Sequence, residues 1–272
     1  MQNKPGMSPR FYDGIDWPQA WFATVLAQAG DLIASDDWRV YLNTQAHQMQ
    51  LCNHLGLPLQ FITQEELPEG VAYEAHISAT GKVPTRENLH DFFNALVWLT
   101  FPKIKQQLNA LQSAQIASLG IGKSRGPARD AATIFDENAA ILVVENSEQG
   151  RALVAHLREH QWHAAFIEQR SLFGIQAQVW SFGHALMEKL VKPYKAITAH
   201  TWVVWADMDF FTTEWSQQRA WLDEHISRKL ASHDLTTADY TPLPVLGIPG
   251  WWLDQDEAFY ADANVFRAKR SK

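Results

Sequence analysis

The sequence predicts an α/β fold, with α+β as the alternative: a helix-rich N-terminal half packed on a mixed sheet in which strands and helices alternate. Three observations carry this reading. Apolar residues recur at helical spacing through most of the first half of the chain. The strongest apolar stretches, FFNALVWL and TWVVWA, are too short to span a bilayer and read as core segments, and ILVVE reads as a buried strand. From about residue 139 onward, strand and helix signals follow one another in turn.

Taken in order, Trp17-Pro18 opens a run in which Trp21, Phe22, Val25, Leu26 and Ala29 fall on one helix face, closing near Gly30. A second helix is expected over 35–54. Residues 58–62 and 71–77 read as short strands on either side of the acidic loop QEELPEG. Thr85 is placed to cap a helix that begins at Arg86 and runs through HDFFNALVWL; Pro102 then restarts a helix, PKIKQQLNALQSAQIASL, closed by Gly120. A short helix over 127–137, the strand ILVVE and a helix over 147–160 follow. AAFIEQ reads as a further strand and 177–182 as another; Gly183 is a turn, HALMEKLVK a helix stopped by Pro193, and ITAHTWVVWA a strand. A helix over 213–231 precedes an irregular, aromatic-rich segment at about 240–272. With no internal repeat or low-complexity stretch, residues 1–272 are expected to form one compact domain.

Composition narrows the function classes. Of 272 residues, 46% are apolar and 19% charged, enough for a sizeable core, so extensive disorder is excluded. The net charge of -7 opposes general binding to nucleic acid or to anionic lipid. Cys52 is the single cysteine, so an intrachain disulfide and a multi-cysteine metal centre are both excluded. No apolar run has the length of a signal peptide or a membrane span, and a cytoplasmic location without membrane attachment is the expectation. The 12 Trp residues are suited to a core, and in a binding protein some would line a cleft or a partner surface.

The sharpest anomaly is local. His90, Asp91 and Asn94 interrupt a helix that is otherwise apolar on nearly every face, and buried polar groups need partners, so the trio belongs either to a structural network or to a ligand site. A second cluster lies in SRGPARDAATIFDEN: Arg125 or Arg129 can clamp a carboxylate or phosphate, Asp130 stands beside them, and Asp136 and Glu137 suit a divalent ion or a base. Its plainer reading is a capped, salt-bridged helix. In the third, His184 follows Gly183 at a helix start, where the positive end of the macrodipole disfavours the imidazolium. Glu188 lies one turn on and can orient the ring, and His200 in the next strand returns toward the same sheet end. Three other patterns carry less. ASLGIGKS lacks both the first glycine and the strand-to-helix context of a phosphate loop. His156, His160 and His163 have metal spacing only if one helix holds all three, and Asp207 with Asp209 suits helix capping better than a metal.

Four longer segments resemble the bacterial domain-of-unknown-function 3025 family: REN-LHDFFNALVW with FPKIKQQLN over 86–109, RDAATIFDEN over 129–138, GHALMEKL over 183–190, and GIPGW, FYAD and VFR near the end. Ala139 stands where the pattern has Gly. The resemblance spans most of the chain and implies no activity. Two functions are therefore expected from the residues themselves. The first is a metal-assisted hydrolase acting on a phosphate- or carboxylate-bearing small molecule. In it His90, Asp91, Asn94, Arg129, Asp130 and His184 serve catalysis, and Asp136, Glu137, Glu188 and His200 hold one divalent metal ion. The second is a non-enzymatic module that binds a small ligand or a protein, with Trp251 and Trp252 covering the ligand or docking the partner, and whose buried polar clusters are structural.

Overall fold

Two parallel strands at the centre of a four-stranded sheet organise the molecule, which a computed structural model describes over residues 10–119, 127–233 and 235–270. The pair is β3 (Ala139–Glu145) and β5 (Thr198–Ala206), and Ile141 sits opposite Trp202 in their register. Six of the seven β3 side chains are buried, the condition under which a strand reads as a continuous apolar run without alternation. β4 (Ala177–Ser181) flanks β3 and β6 (Tyr240–Pro244) flanks β5, both antiparallel, giving the order β4-β3-β5-β6. β6 contains Pro242 and Pro244 and lies at an edge, where a missing N–H costs no ladder bond. A separate pair, β1 (Gln60–Ile62) and β2 (Lys82–Pro84), is parallel.

The helices before the sheet are α1 (Ala23–Ala34), α2 (Trp38–Gln48), α3 (Tyr73–Thr80), α4 (Leu89–Thr100), α5 (Pro102–Leu119) and α6 (Pro127–Asn138). Those after β3 are α7 (Glu148–Arg158), α8 (His184–Leu190), α9 (Met208–Thr212), α10 (Trp215–Ser232) and α11 (Glu257–Tyr260). α4 is buried from Asp91 to Thr100 and touches α1, α2, α5 and α8, as expected of a helix apolar all round. The first turn of α5 is capped from a distance: Asp223 on α10 accepts from the backbone N–H groups of Lys103 and Ile104 at 3.1 and 2.9 Å. One hydrophobic cluster runs from Tyr12 to Phe266 through both the helical layer and the sheet. No helix among the described residues is long and apolar enough to cross a membrane.

Several expected elements differ. The expected strand at 71–77 is not one: from Tyr73 onward it belongs to α3, where buried His76 and Ile77 follow half-buried Tyr73 at spacings of three and four, and Gly81 closes the helix at φ 73°. AAFIEQ forms a π-helical turn over Ala164–Glu168, which lets Trp162 stack on Phe166 four residues on at 6.0 Å. The cap of α4 is Asn88, whose Oδ1 accepts from the Asp91 N–H at 2.8 Å, while the Thr85 hydroxyl turns back to the Val83 carbonyl. α1 starts after a 3-10 turn at Ala20–Phe22 and passes through Gly30, and α2 is shorter than 35–54. β2, β6, α9 and α11 are additional elements. His160 has φ 56° and ends the α7 region, so His156, His160 and His163 do not share a helix face; they bond separately to Gln169, the Arg267 carbonyl and Glu168. Asp207 precedes α9 but makes no side-chain cap bond. Arg125 and the glycines of ASLGIGKS lie outside the described residues.

Candidate functional site

The polar interruptions of α4 open onto a cleft of about 400 Å³ bounded by α3, α4, α5, α6 and α8. Gly183 makes the closure possible. A Cβ there would lie 2.4 Å from the Glu137 carbonyl oxygen, and the Gly183 N–H bonds to the Ala139 carbonyl at 2.8 Å, so only glycine lets the start of α8 seat against the end of α6. This contact brings His184 to Asp136. Along α6, Arg129, Thr133, Asp136 and Glu137 recur at helical spacing and all line the cleft.

A connected polar chain crosses the site. Glu188 Oε2 meets His90 Nδ1 at 3.0 Å, and His90 Nε2 meets His184 Nε2 at 3.0 Å. His184 Nδ1 is 4.0 Å from Asp136 Oδ2, an electrostatic contact too long for a hydrogen bond. Asp136 Oδ1 accepts from Lys105 Nζ at 2.5 Å; Lys105 also donates to Asn94 Oδ1 at 2.8 Å, and Asn94 Nδ2 donates to the Tyr73 hydroxyl at 3.0 Å. At the rim, Arg86 grips Asp91 through Nε and Nη2 at 2.9 and 3.0 Å, while Asn109 Nδ2 donates to Glu74 Oε2 at 2.7 Å.

Burial and charge set the protonation states. Desolvation holds the His184 imidazole neutral, its pKa pushed down to about 3 although Asp136 pulls the other way. Burial opposes ionisation of Asp136, but the charge and the hydrogen bond of the Lys105 ammonium pull the other way, and the carboxyl stays below its usual range. Burial raises Glu74 and, with nearby carboxylates, raises Tyr73 further. The Tyr73 hydroxyl therefore keeps its proton and can donate into the cleft while accepting from Asn94.

Seven of the ten expected site residues line this one cleft: His90, Asp91, Asn94, Arg129, Asp136, Glu137 and His184. Glu188 joins through His90. Asp130 does not, because one residue beyond Arg129 is 100° further round the helix, and it is exposed on the outer face. Exposed His200 on β5 stands edge-on to Tyr240 at 6.1 Å and is not a lining residue. Trp251 packs near Trp21 at 6.3 Å and Trp252 is exposed, so neither covers the cleft. Among the described residues no group of three or more His, Cys, Asp or Glu side chains is arranged to hold a metal ion.

Tyr73, Glu74, Arg86, Lys105 and Gln112 were not anticipated at the site. Lys105 and Gln112 carried a signal: with Asn109 they form a buried polar stripe on α5 at spacings of four and three, the same pattern that exposed the α4 trio. Arg129 is distinct within the cleft, since its side chain makes no hydrogen bond or ion pair with another described residue. A family model described as a protein of unknown function (DUF3025) matches residues 59–270, which takes in every residue of the cleft. No curated protein and no solved structure matches the chain.

Proposed function

The chain belongs to the DUF3025 family, whose function is unknown, and on the geometry of the cleft we propose that it binds a small molecule carrying a carboxylate or phosphate. The observation that carries this reading is the Arg129 guanidinium, which makes no hydrogen bond or ion pair with a described residue and acts on Glu74 only through its charge, in a cleft where Arg86 is engaged by Asp91 and Lys105 by Asp136. A guanidinium left open in a concavity suits bidentate capture of an anion. The volume, about 400 Å³, falls in the range of small-molecule sites, and Tyr73, Asn94, Gln112 and Thr133 supply neutral polar groups that fix orientation.

Isothermal titration calorimetry with a panel of carboxylates and phosphate monoesters tests the reading. Arg129→Ala is expected to weaken the best ligand by about 10-fold or more, the loss of one charge-assisted pair. Equal affinity in the variant removes Arg129 from the site, and a panel without a binder removes the reading. Metal-assisted hydrolysis of such a molecule is the second reading, favoured by the His184 ring beside Asp136 Oδ2, a carboxylate oxygen that takes no hydrogen bond from a described residue. Elemental analysis of protein purified without chelator tests it. One equivalent of a transition metal, lost in His184→Ala, would put hydrolysis first.

A further inference from the structure

Gln112 on α5 is only 7% exposed and lines the cleft, and its side chain makes no hydrogen bond with a described residue. The other buried amide side chains among the described residues, Asn53, Asn94, Asn109, Gln218 and Gln255, each make at least two. Burying an amide without partners costs desolvation that folding does not return. Gln112 is therefore an open polar group in the one place where a ligand can complete it.

The open amide and the open guanidinium share one stretch of the cleft. Gln112 follows Asn109 by one turn of α5, Asn109 Nδ2 donates to Glu74 Oε2, and Arg129 on α6 acts on Glu74 through its charge. Ile116, one turn beyond Gln112, also lines the cleft and offers an apolar wall for a carbon skeleton. A side-chain amide presents a carbonyl acceptor and an NH₂ donor side by side. A second amide answers both, giving an N–H to the carbonyl and taking one from the NH₂. A ketone answers only the donor, and a single hydroxyl meets only one of the two atoms with good geometry. Glu137, whose carboxylate makes no ion pair with a described residue, lines the same cleft, so a singly charged carboxylate meets less repulsion there than a doubly charged phosphate.

We propose that the ligand is a carboxylate that also carries an amide, with its anionic group held by Arg129 and its amide by Gln112. This rests on the binding reading above and adds the neutral end of the ligand. Recognition of both groups selects against carboxylates without the amide, because each of them leaves Gln112 buried and unpaired.

Calorimetry with two isosteric series reads the amide directly. N-acetylglycine and succinamate both become 4-oxopentanoate when nitrogen is replaced by carbon, and N-acetyl-β-alanine and glutaramate both become 5-oxohexanoate. Pentanoate and hexanoate remove the carbonyl as well, while 4-hydroxypentanoate and 5-hydroxyhexanoate put a hydroxyl in its place. At least one amide is expected to bind about 10-fold or more tightly than every amide-free member of its series, and the series it belongs to reports the span. Gln112→Met, close in volume but without the amide, should bring that ratio to within about twofold. Both series are read in the wild type, so they decide the outcome even where the variant does not fold. Equal affinity across both series, a hydroxy acid as tight as the amide, or a preference that survives in folded Gln112→Met overturns the amide-bearing ligand and leaves anion binding standing. Binding of phosphate monoesters without binding of any carboxylate does the same. Failure of carboxylates and phosphate monoesters alike overturns the binding reading itself.

Discussion

The C-terminal segment and the α4–α6–α8 cleft both bury polar groups among aromatic and aliphatic side chains, and they complete their hydrogen bonds to different extents. At the C-terminal segment, Gln255 Nε2 donates to the Leu246 and Ile248 carbonyls and Oε1 accepts from the Gly250 N–H. Arg170 donates to the Gln255 carbonyl and to the Tyr260 hydroxyl, which itself donates to the Gly247 carbonyl. Both Nε2 hydrogens of Gln255 are used and its Oε1 accepts one bond, and the result fixes an otherwise irregular chain against Phe166 and Phe266. In the cleft a polar chain runs through seven side chains from Glu188 to Tyr73, broken as hydrogen bonding between His184 and Asp136, and it leaves the Arg129 guanidinium and Asp136 Oδ2 without a hydrogen bond from a described residue. A polar network that only holds a fold gains nothing from open groups, since each costs desolvation without return. Buried polar atoms without a partner also occur away from the cleft, at Trp21 Nε1, Ser181 Oγ and Thr201 Oγ1 among others, so it is the charged Arg129 and Asp136 opening onto one concavity that point to a partner from outside.

The largest test of this contrast is Lys105→Met. It removes the counter-charge from buried Asp136 and the donor from Asn94, and is expected to destabilise by about 3–5 kcal/mol in urea unfolding. A Lys105→Met, Asp136→Leu double variant should recover at least half of that loss, because the cost lies in the unpaired charge. If both variants are equally unstable, packing and not charge governs the pair. Gln255→Ala should cost about 1–3 kcal/mol by stranding two carbonyls and an N–H, with ligand binding unchanged. A binding defect in that variant would merge the two regions that are separated here.

Acid should act on the cleft through His184. His184 is held neutral in the fold, with a pKa near 3 against 6.5 when unfolded. The unfolded chain therefore takes up a proton that the native one refuses, so this contribution is whole above pH 6.5 and is lost as the pH falls toward 3. Between pH 7 and 5.5 it amounts to about 1 kcal/mol. The difference in stability between wild type and His184→Gln should shift by that amount across the interval; a constant difference would show that native His184 titrates like the unfolded one, and a shift of opposite sign that it is protonated in the native state. The Gln255 network contains no histidine and its variant should follow the wild-type pH profile.

How far the sequence spoke depended on how much of each signal was local. β3 and β5 were legible because full burial makes every residue apolar, and α4 because its polar residues were so few. β6 was hidden by Pro242 and Pro244, which only an edge position permits, and that position is a tertiary fact. α3 was hidden because eight residues barely complete two turns, too few for a helical period to stand out from alternation. At the site, His90, Asp91 and Asn94 stood out as polar groups in an apolar helix, Asp136 as an acid of the charged segment RDAATIFDEN, and His184 by its place at a helix start. Lys105 did not, since a lysine at a helix start reads as solvated until the fold closes over it; its burial becomes visible only in the stripe with Asn109 and Gln112. Their convergence rests on the approach of Gly183 to Glu137, a contact between segments more than 40 residues apart that no single-segment pattern encodes.

The smallest expected effect is also the most discriminating. Arg129→Ala removes a side chain that lines the cleft without a hydrogen bond or ion pair to any described residue, so urea unfolding should move by no more than about 0.5 kcal/mol. A modest gain in stability is as consistent as a modest loss, because an unpaired charge in a concavity is partly desolvated without compensation. The same variant is the one expected to lose ligand affinity. Coexistence of intact stability with lost binding is the signature of a group kept for a partner. A loss of 2 kcal/mol or more, by contrast, would place Arg129 with Gln255 among the residues that hold the chain together.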